Sequence, residues 1–320
     1  ERGFKQKLIA RNNSELSTRC QSIDDLDVIE TNLFSLNIFS KTPDKTLFHF
    51  HDSRSFSALY LKSLFQTFNY IYTRRVQRSP KVNFISKRIY YNADKIVALS
   101  SSIANSLKNS FERNLEIEII PSATTGFSID KNNSSKIRKD IKESFIVGHI
   151  GALDDSHKGQ NKIIKLAKEA KANNLDIGFI LVGSGRDENI LKDKCIDLDN
   201  IYFMGQVENI GDYLNIFDVF IFPSRHEGLG SSLLDALQFG IPIIASNIGG
   251  IPELIEHRVN GYLINGNSKD YFSYLCMLYY DLELRAKISR SNKIKSKYFS
   301  IDNMVNSYIK IYHNSFKAMR

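Results

Sequence analysis

The 320-residue chain has no tryptophan, only six prolines and only three cysteines. It has no run of 18 apolar residues, which argues against a transmembrane helix, since a span needs about 20. Cys20, Cys195 and Cys276 are odd in number, far apart and in no metal-ligand spacing. They read as reduced, buried, apolar thiols of a cytoplasmic protein rather than a disulfide framework or a zinc site. No complete G-x-G-x-x-G follows an early strand, which removes the fingerprint that a dehydrogenase or a nucleotide-dependent epimerase would carry. No repeat short enough for a solenoid is present, and no known nucleic-acid-binding motif. The chain opens on Glu1-Arg2-Gly3, without an initiator methionine or a signal sequence.

What is there fits a globular protein of two parts. A hydrophobic content of 42% with 24% charge is ordinary for such a chain. Its length exceeds the usual single-core ceiling, so two domains of about 150 residues each are the default. Charge divides unevenly between them. Residues 1–140 hold 22 Lys and Arg against 14 Asp and Glu, whereas 141–320 hold 21 of each. Nine basic and two acidic residues fall within 51–100. There Arg74, Arg75, Arg78, Lys81, Lys87 and Arg88 interleave with Tyr70, Tyr72, Phe84, Tyr90 and Tyr91. This pattern admits a surface for anionic lipid headgroups or a phosphate-linked acceptor, a nucleic-acid footprint, or a solvated helix face with core aromatics. Nucleic acid is set aside for want of a motif.

The N-terminal half alternates strand-like and helix-like segments. Strands are expected at Lys5–Ala10, Thr46–Phe50, Asn69–Thr73, Lys95–Leu99 and Ile117–Ile120. Helices are expected at Phe56–Phe65, at about Lys81–Tyr91 and from Ser100 onward. Such alternation predicts a parallel sheet covered by helices. Residues 128–143 are polar and lack a sustained apolar pattern, so they read as a linker, with a boundary near residue 135. The alternation then restarts, with strands expected at Phe145–Ile150, Ile177–Val182, Ile201–Met204, Val219–Phe222 and Pro242–Ala245. The last helix is expected at Ile301–Phe316.

The most informative stretch follows the apolar run Val219–Phe222. Pro223-Ser224 ends the run, and then come Glu227, Gly228 and Gly230 before a helix with apolar Leu233, Leu234, Ala236 and Leu237. A glycine-containing loop between strand and helix lets backbone N–H groups approach an anion, with the helix dipole behind them. Asp235 stands eight positions after Glu227, Gly240 and Pro242 follow, and then Gly249, Gly250 and Glu253.

That string resembles the signature P-S-x-x-E-G-x-G, a second acid eight residues on, G-x-P and G-G-x-x-E of retaining glycosyltransferases with the glycosyltransferase-B fold (family 4, the glycosyl transferases group 1 type). The resemblance is strong from 145 to 265 and looser before 140. It implies an α/β protein of two Rossmann-like domains facing across a cleft. The acceptor-binding domain would span 1–135 and the nucleotide-sugar domain 136–300, with 301–320 a helix packing back on the first. It also implies that roughly 30 residues are missing before Glu1.

The resemblance assigns roles residue by residue. Glu227 would touch the transferred sugar and Asp235 the ribose, where the family usually has glutamate. Carboxylates suit both tasks, being acceptors that can hold adjacent hydroxyls. Lys158, with the backbone of Gly228, Leu229, Gly230 and Ser231, would hold the leaving diphosphate. Gly151 lies at the preceding strand end, and Ala152 stands where the family carries arginine. Gly183, Gly185 and Gln206 would line the nucleotide pocket. Arg74 stands where many relatives have a histidine near the donor sugar, while His51 and Arg75 would face the cleft or acceptor. His49 and His51 point to one side of a pleat, a spacing compatible with metal, but no acidic partner set stands out.

The function implied is retaining transfer, without metal or cofactor, from a UDP- or GDP-sugar to a lipid-linked or polysaccharide acceptor. The product would be a bacterial envelope glycan such as lipopolysaccharide, O-antigen or capsule. The enzyme would work in the cytoplasm, with peripheral contact to the inner face of an anionic membrane. The alternative is a catalytically impaired nucleotide-sugar-binding protein of the same fold.

Overall fold

The computed structural model describes residues 4–32, 46–52, 55, 60, 67–266 and 268–318. The first unit is a parallel pair, β1 (Gln6–Arg11) and β2 (Leu26–Thr31), joined through α1 (Glu15–Cys20). A four-stranded parallel sheet follows, in the order β3 (Leu47–Phe50), β4 (Asn69–Arg74), β5 (Lys95–Ala98) and β6 (Ile117–Ile119). Its helices include α2 (Phe84–Tyr91) and α3 (Ser101–Ser110). Most of the helix expected at Phe56–Phe65 lies outside the described residues.

The helix expected from Lys81 starts three residues later because Asn83 caps it. The Asn83 side chain accepts the Ser86 N–H at 2.8 Å, and the Ser86 hydroxyl accepts the Asn83 N–H at 2.8 Å. The polar stretch read as a linker also differs, since Lys131–Lys139 form a helix, α4. Its anchorage is polar, which apolar patterning does not register. Asp130 caps the first turn, donates its own N–H to Asp212 at 2.7 Å, and Asn133 donates to the same carboxylate at 2.6 Å. Strands β1 and β3 to β6 fall where expected, whereas β2 had no counterpart in the sequence reading.

The second large sheet is six-stranded and parallel. Its strands are β7 (Phe145–Ile150), β8 (Ile177–Val182), β9 (Ile201–Gly205), β10 (Val219–Phe222), β11 (Ile243–Ser246) and β12 (Gly261–Ile264), in the spatial order β12-β11-β10-β7-β8-β9. Side chains alternate between two cores. Ile146, Ile180, Val182, Phe220, Phe222 and Ile243 face one, and Val147, Phe179, Leu181, Val219, Ile221 and Ile244 the other. The chain builds outward from β7 to β9, then returns to β10 on the other side of β7. The crevice beyond the carboxyl ends of β7 and β10 is therefore the topological switch point, where ligands of such sheets bind.

Helices cover this sheet on both faces: α5 (Asp155–Lys158), α6 (Gln160–Ala172), α7 (Glu188–Asp193), α8 (Ile210–Leu214), α9 (Ser231–Phe239), α10 (Ile251–Leu254), α11 (Ser268–Tyr280) and α12 (Leu282–Ser296). The two halves share a core. Ala98, Leu99, Ile103 and Ala104 of the first half are buried in one cluster with Phe222, Leu229 and Ile251 of the second. Polar contacts pin this seam. Ser100 Oγ donates to Gly228 O at 2.8 Å, and the Glu253 carboxylate accepts Ser102 N–H and Ser101 Oγ–H, each at 3.3 Å, at the positive end of α3. Gly250 sits so close that a Cβ there would lie 2.2 Å from Gly228 O and 2.9 Å from Ser100 Cβ.

The final helix, α13 (Ile301–Ala318), leaves the second half and packs on the first sheet. Ile311 is buried with Ile71, Val97 and Ile120, flanked by Met304, Tyr308 and Tyr312. Among the described residues no helix is long and apolar enough to cross a membrane.

Ile311→Ala should cost about 2–4 kcal/mol of stability, because it opens a cavity between α13 and the first sheet. Urea unfolding checks this, and a loss of a few tenths of a kcal/mol would mean that the helix is not docked there.

Candidate functional site

The loops after β7 and β10 supply the two charged groups at the switch point. Lys158 ends the single turn of α5, and Gly159 stops that turn at φ +72°, left-handed backbone that glycine adopts without strain. Any Cβ at Gly159 would lie 2.3 Å from Pro223 O, so glycine is also what lets the two loops touch. Lys158 Nζ lies 2.6 Å from Glu227 Oε2 and 5.0 Å from the centroid of the Phe222 ring. The two side chains are only 23% and 15% exposed. Removing either partner would leave a partly desolvated charge unpaired, the costly situation for such pairs.

Immediately beyond Glu227, Gly230 takes φ +90° and α9 begins. No side chain caps this helix and no acid lies in its first turn. Its leading N–H groups and dipole are therefore available to an anion. A cation, a carboxylate and a helix N-terminus converge on one crevice. The carboxylate can hold hydroxyls while the other two hold phosphate.

Behind this surface lies a buried polar spine. His149 is fully buried on β7, with Nδ1 hydrogen-bonded to Ile221 O at 3.0 Å on β10. That bond makes Nδ1 the protonated nitrogen, leaving Nε2 to face the Gln160 amide at 3.4 Å. Gln160, also fully buried, donates to Ala152 O at 2.8 Å. Burial lowers the His149 pKa to about 4, opposed by the Ile221 carbonyl and assisted by Lys158.

The loops after β7, β8 and β9 are laced together by their backbones. Gly151 N–H donates to Val182 O at 3.0 Å, Gly183 N–H to Gly205 O at 2.8 Å, and Leu153 N–H to Ser184 O at 3.0 Å. Gly185 packs against Leu153 O, and Gln206 is exposed just past β9. Gly151, Lys158, Glu227 and the segment from Gly228 through Leu229 and Gly230 to Ser231 thus lie at one end of the six-stranded sheet.

Two other candidates spend polar atoms on neighbouring loops. Asp235 is 7% exposed and accepts the Thr125 N–H at 2.8 Å. Burial raises its pKa and the Thr125 contacts oppose the rise. Arg74, 9% exposed, donates from Nε to Val76 O at 3.1 Å and from its guanidinium to Arg78 O. Arg75, by contrast, is exposed, and its carbonyl crowds Gly228, where a Cβ would lie 2.7 Å away.

His51 stacks 4.0 Å from His49, which is hydrogen-bonded to Tyr312 OH and Thr73 Oγ1, each at 2.7 Å. Burial, then His51, lowers the His49 pKa to about 3. Desolvation, then Arg75, lowers that of His51, although much of its surface is open. Among the described residues no group of three or more His, Cys, Asp or Glu side chains is placed to hold a metal ion.

Sequence reasoning passed over His149, Gln160 and the role of Phe222. The one available signal was His149 itself, a polar residue inside the otherwise apolar run of β7.

A sequence profile described as "Glycosyl transferases group 1" matches residues 130–295, just over half of the chain. An uncharacterized glycosyltransferase of Haemophilus influenzae is 28% identical over 220 residues, 67% of this chain and 60% of that protein. The UDP-Gal:alpha-D-GlcNAc-diphosphoundecaprenol alpha-1,3-galactosyltransferase of Escherichia coli is 29% identical over 196 residues, 57% of this chain and 48% of that one. The chain therefore spans about half to three fifths of the length of these relatives. Others are glycosyltransferases of capsular polysaccharide and O-antigen biosynthesis. The crystal structure of Anabaena HepE in complex with UDP superposes with a TM-score of 0.81 at 17% identity, covering 97% of this chain and 100% of that one. The shared fold is glycosyltransferase-B, the class expected from the sequence.

Because His149 titrates lower in the folded chain than in the unfolded one, its stabilising effect is complete above about pH 6.5 and is lost as pH falls toward 4. His149→Asn, which keeps a donor for Ile221 O, should remove up to roughly 3 kcal/mol of the difference in stability between pH 7 and pH 4. His49 contributes a slope of the same sign that the substitution leaves in place. Denaturant unfolding at several pH values decides, and an unchanged slope would contradict the buried neutral imidazole.

Proposed function

The chain belongs to the glycosyl transferases group 1 family, and on that premise we propose that it moves a hexose-type sugar, with retention, from a UDP- or GDP-sugar to a lipid-linked or polysaccharide acceptor of envelope glycan. The observation that carries this reading is the 2.6 Å Lys158–Glu227 pair beside the uncapped start of α9, at the switch point of the six-stranded sheet. The diphosphate sits on the amides from Gly228 to Ser231, and Lys158 turns from Glu227 to the leaving phosphate. Glu227, relieved of its lysine, accepts hydrogen bonds from sugar hydroxyls. The leaving phosphate takes the acceptor's proton, so no side-chain base is required. Stabilisation of this kind, by groups already in place, is the largest contribution in many enzymes.

The remaining candidates fit around that centre. Gly151, Gly183, Gly185 and Gln206 surround the nucleoside. Asp235 acts through Thr125 and Arg74 through its own loop, each shaping the wall of the cleft. Arg75 and His51 face the acceptor side. No cofactor takes part and no metal is needed, because Lys158 and the helix dipole supply the positive charge. A second reading, donor binding without efficient turnover, is favoured by Ala152 at the position where the family carries arginine.

The basic segment supports peripheral contact with the cytoplasmic face of an anionic membrane. Tyr70, Tyr72 and Tyr90 are core residues, but Val76, Val82, Phe84 and Ile85 are 54%, 44%, 71% and 41% exposed on the stretch that carries Arg75, Arg78 and Lys81. Apolar side chains set among cations match the headgroup boundary of such a bilayer.

Thermal unfolding with UDP, GDP, ADP, CMP and their sugar conjugates tests the donor site. A ligand at 100 times its dissociation constant should add about 2.7 kcal/mol, roughly 4–8 °C. The shift should appear with a uridine or guanosine ligand and shrink in Glu227→Ala and Lys158→Ala. No shift with any nucleotide would sink the donor site, while a shift without sugar transfer to any acceptor, and so without release of nucleoside diphosphate, would favour the second reading.

For the membrane, sedimentation with phosphatidylglycerol vesicles should capture the protein. Phe84→Ser with Lys81→Glu should weaken capture by about 10-fold or more. Equal capture by phosphatidylcholine vesicles, or by the double variant, would remove the membrane surface.

A further inference from the structure

β7 and β10 pair only through Val219↔Val147 and Phe220↔Gly148, so no ladder hydrogen bonds join the loops that extend beyond them to each other. Yet those loops must present Lys158 and Glu227 to one ligand. Lys158 rides on a single helical turn, which has no stability of its own. Something outside the sheet has to set its position.

Arg225, two residues before Glu227, makes the connection. Its N–H donates to His157 O at 2.8 Å, its Nε to Asp155 O at 3.0 Å, and its Nη2 to Asp155 Oδ2 at 3.2 Å. One residue of the β10 loop thus grips both ends of the Lys158 turn. Asp155 is anchored in turn. Its other carboxylate oxygen accepts Asn161 N–H at 2.7 Å at the start of α6, and its own N–H donates to Asp187 Oδ2 at 2.8 Å, on the loop after β8. Burial alone would raise the Asp155 pKa, but Asn161 and Arg225 outweigh it and the carboxyl titrates below its usual range.

Arg225 and Asp155 line an open hollow of about 530 Å³ together with Asn161, Arg186 and Asp187. Neither Lys158 nor Glu227 lines it, so the clasp lies beside the site rather than within it.

We propose that Arg225 and Asp155 are positioning residues of the transferase site: the pair fixes the Lys158 turn against the Glu227 loop and acts on the donor only through those two side chains. This rests on the functional reading given above. Charge alone does not suffice, because the guanidinium bonds a carbonyl and a carboxylate at once, and a lysine ammonium does not reproduce that fork. The pair is 45% and 18% exposed at its side chains, so its loss should barely move the melting temperature.

Calorimetric binding of UDP and GDP to the full chain tests it, without depending on turnover. Arg225→Ala should weaken the nucleotide that binds by on the order of 10-fold, the scale on which small displacements of a binding group act. Arg225→Lys should weaken it as much, and Arg225→Ala in a Lys158→Ala background should cost nothing further. A lysine variant that binds like the wild type, losses that add, or an unaffected Arg225→Ala would each overturn the clasp while leaving the donor site standing. A wild-type chain that binds neither nucleotide would overturn both.

Discussion

Strand order in the six-stranded sheet governs what the rest of this protein can do. Because the chain leaves β7 in one direction and returns to β10 on its other side, the connections on either side lead away from a shared gap. Two loops must enter that gap from opposite flanks. One brings a lysine on a helical turn, the other a glutamate ahead of a helix whose first amides have no internal partner. Neither loop has a chemistry of its own. Apposed at 2.6 Å, their charges hold each other. The pair compensates two partly desolvated charges, so the cost of burying each is offset by the other.

The same gap is closed from above by the other half of the chain. Arg75 O and Ile103 approach Gly228, Ser100 donates to its carbonyl, and Gly250 presses on both. Backbone contacts of this kind leave no slack for side chains, so the glycine loop is positioned as much by the first half as by the strand that leads into it. Glu253 makes the dependence mutual, because a carboxylate from the second half sits at the N-terminus of α3 in the first.

Where burial is complete, this architecture could be read from the sequence. β7, β8, β10 and β11 are short apolar runs bounded by turn residues, and the alternation of their side chains between two cores follows from the pleat. Glu227 and Lys158, picked out from the resemblance of their motifs, are brought together in space. Elsewhere legibility failed for specific reasons. α4 has a single buried residue, Ser134, and is held by Asp212, 82 residues away from the Asp130 N–H it accepts. Asp235 and Arg74 carry charge, but each is held by atoms of loops whose course no local pattern encodes, and Arg74 also by the Tyr90 side chain. His149 is an imidazole whose role exists only because Ile221 O and Gln160 come to meet it. Half of the aromatic and basic pattern near residue 80 turned out to be core and half surface, a division that depends on which face of β4 and α2 turns inward.

The last helix has a consequence for how the protein is made. His49, in the third strand, finds its tyrosine partner 263 residues later, on α13. Contacts that remote in sequence are slow to form and close large loops. Ile71 and Val97 of the first sheet are buried against the same helix, so that face can be covered only after the second half has left the ribosome.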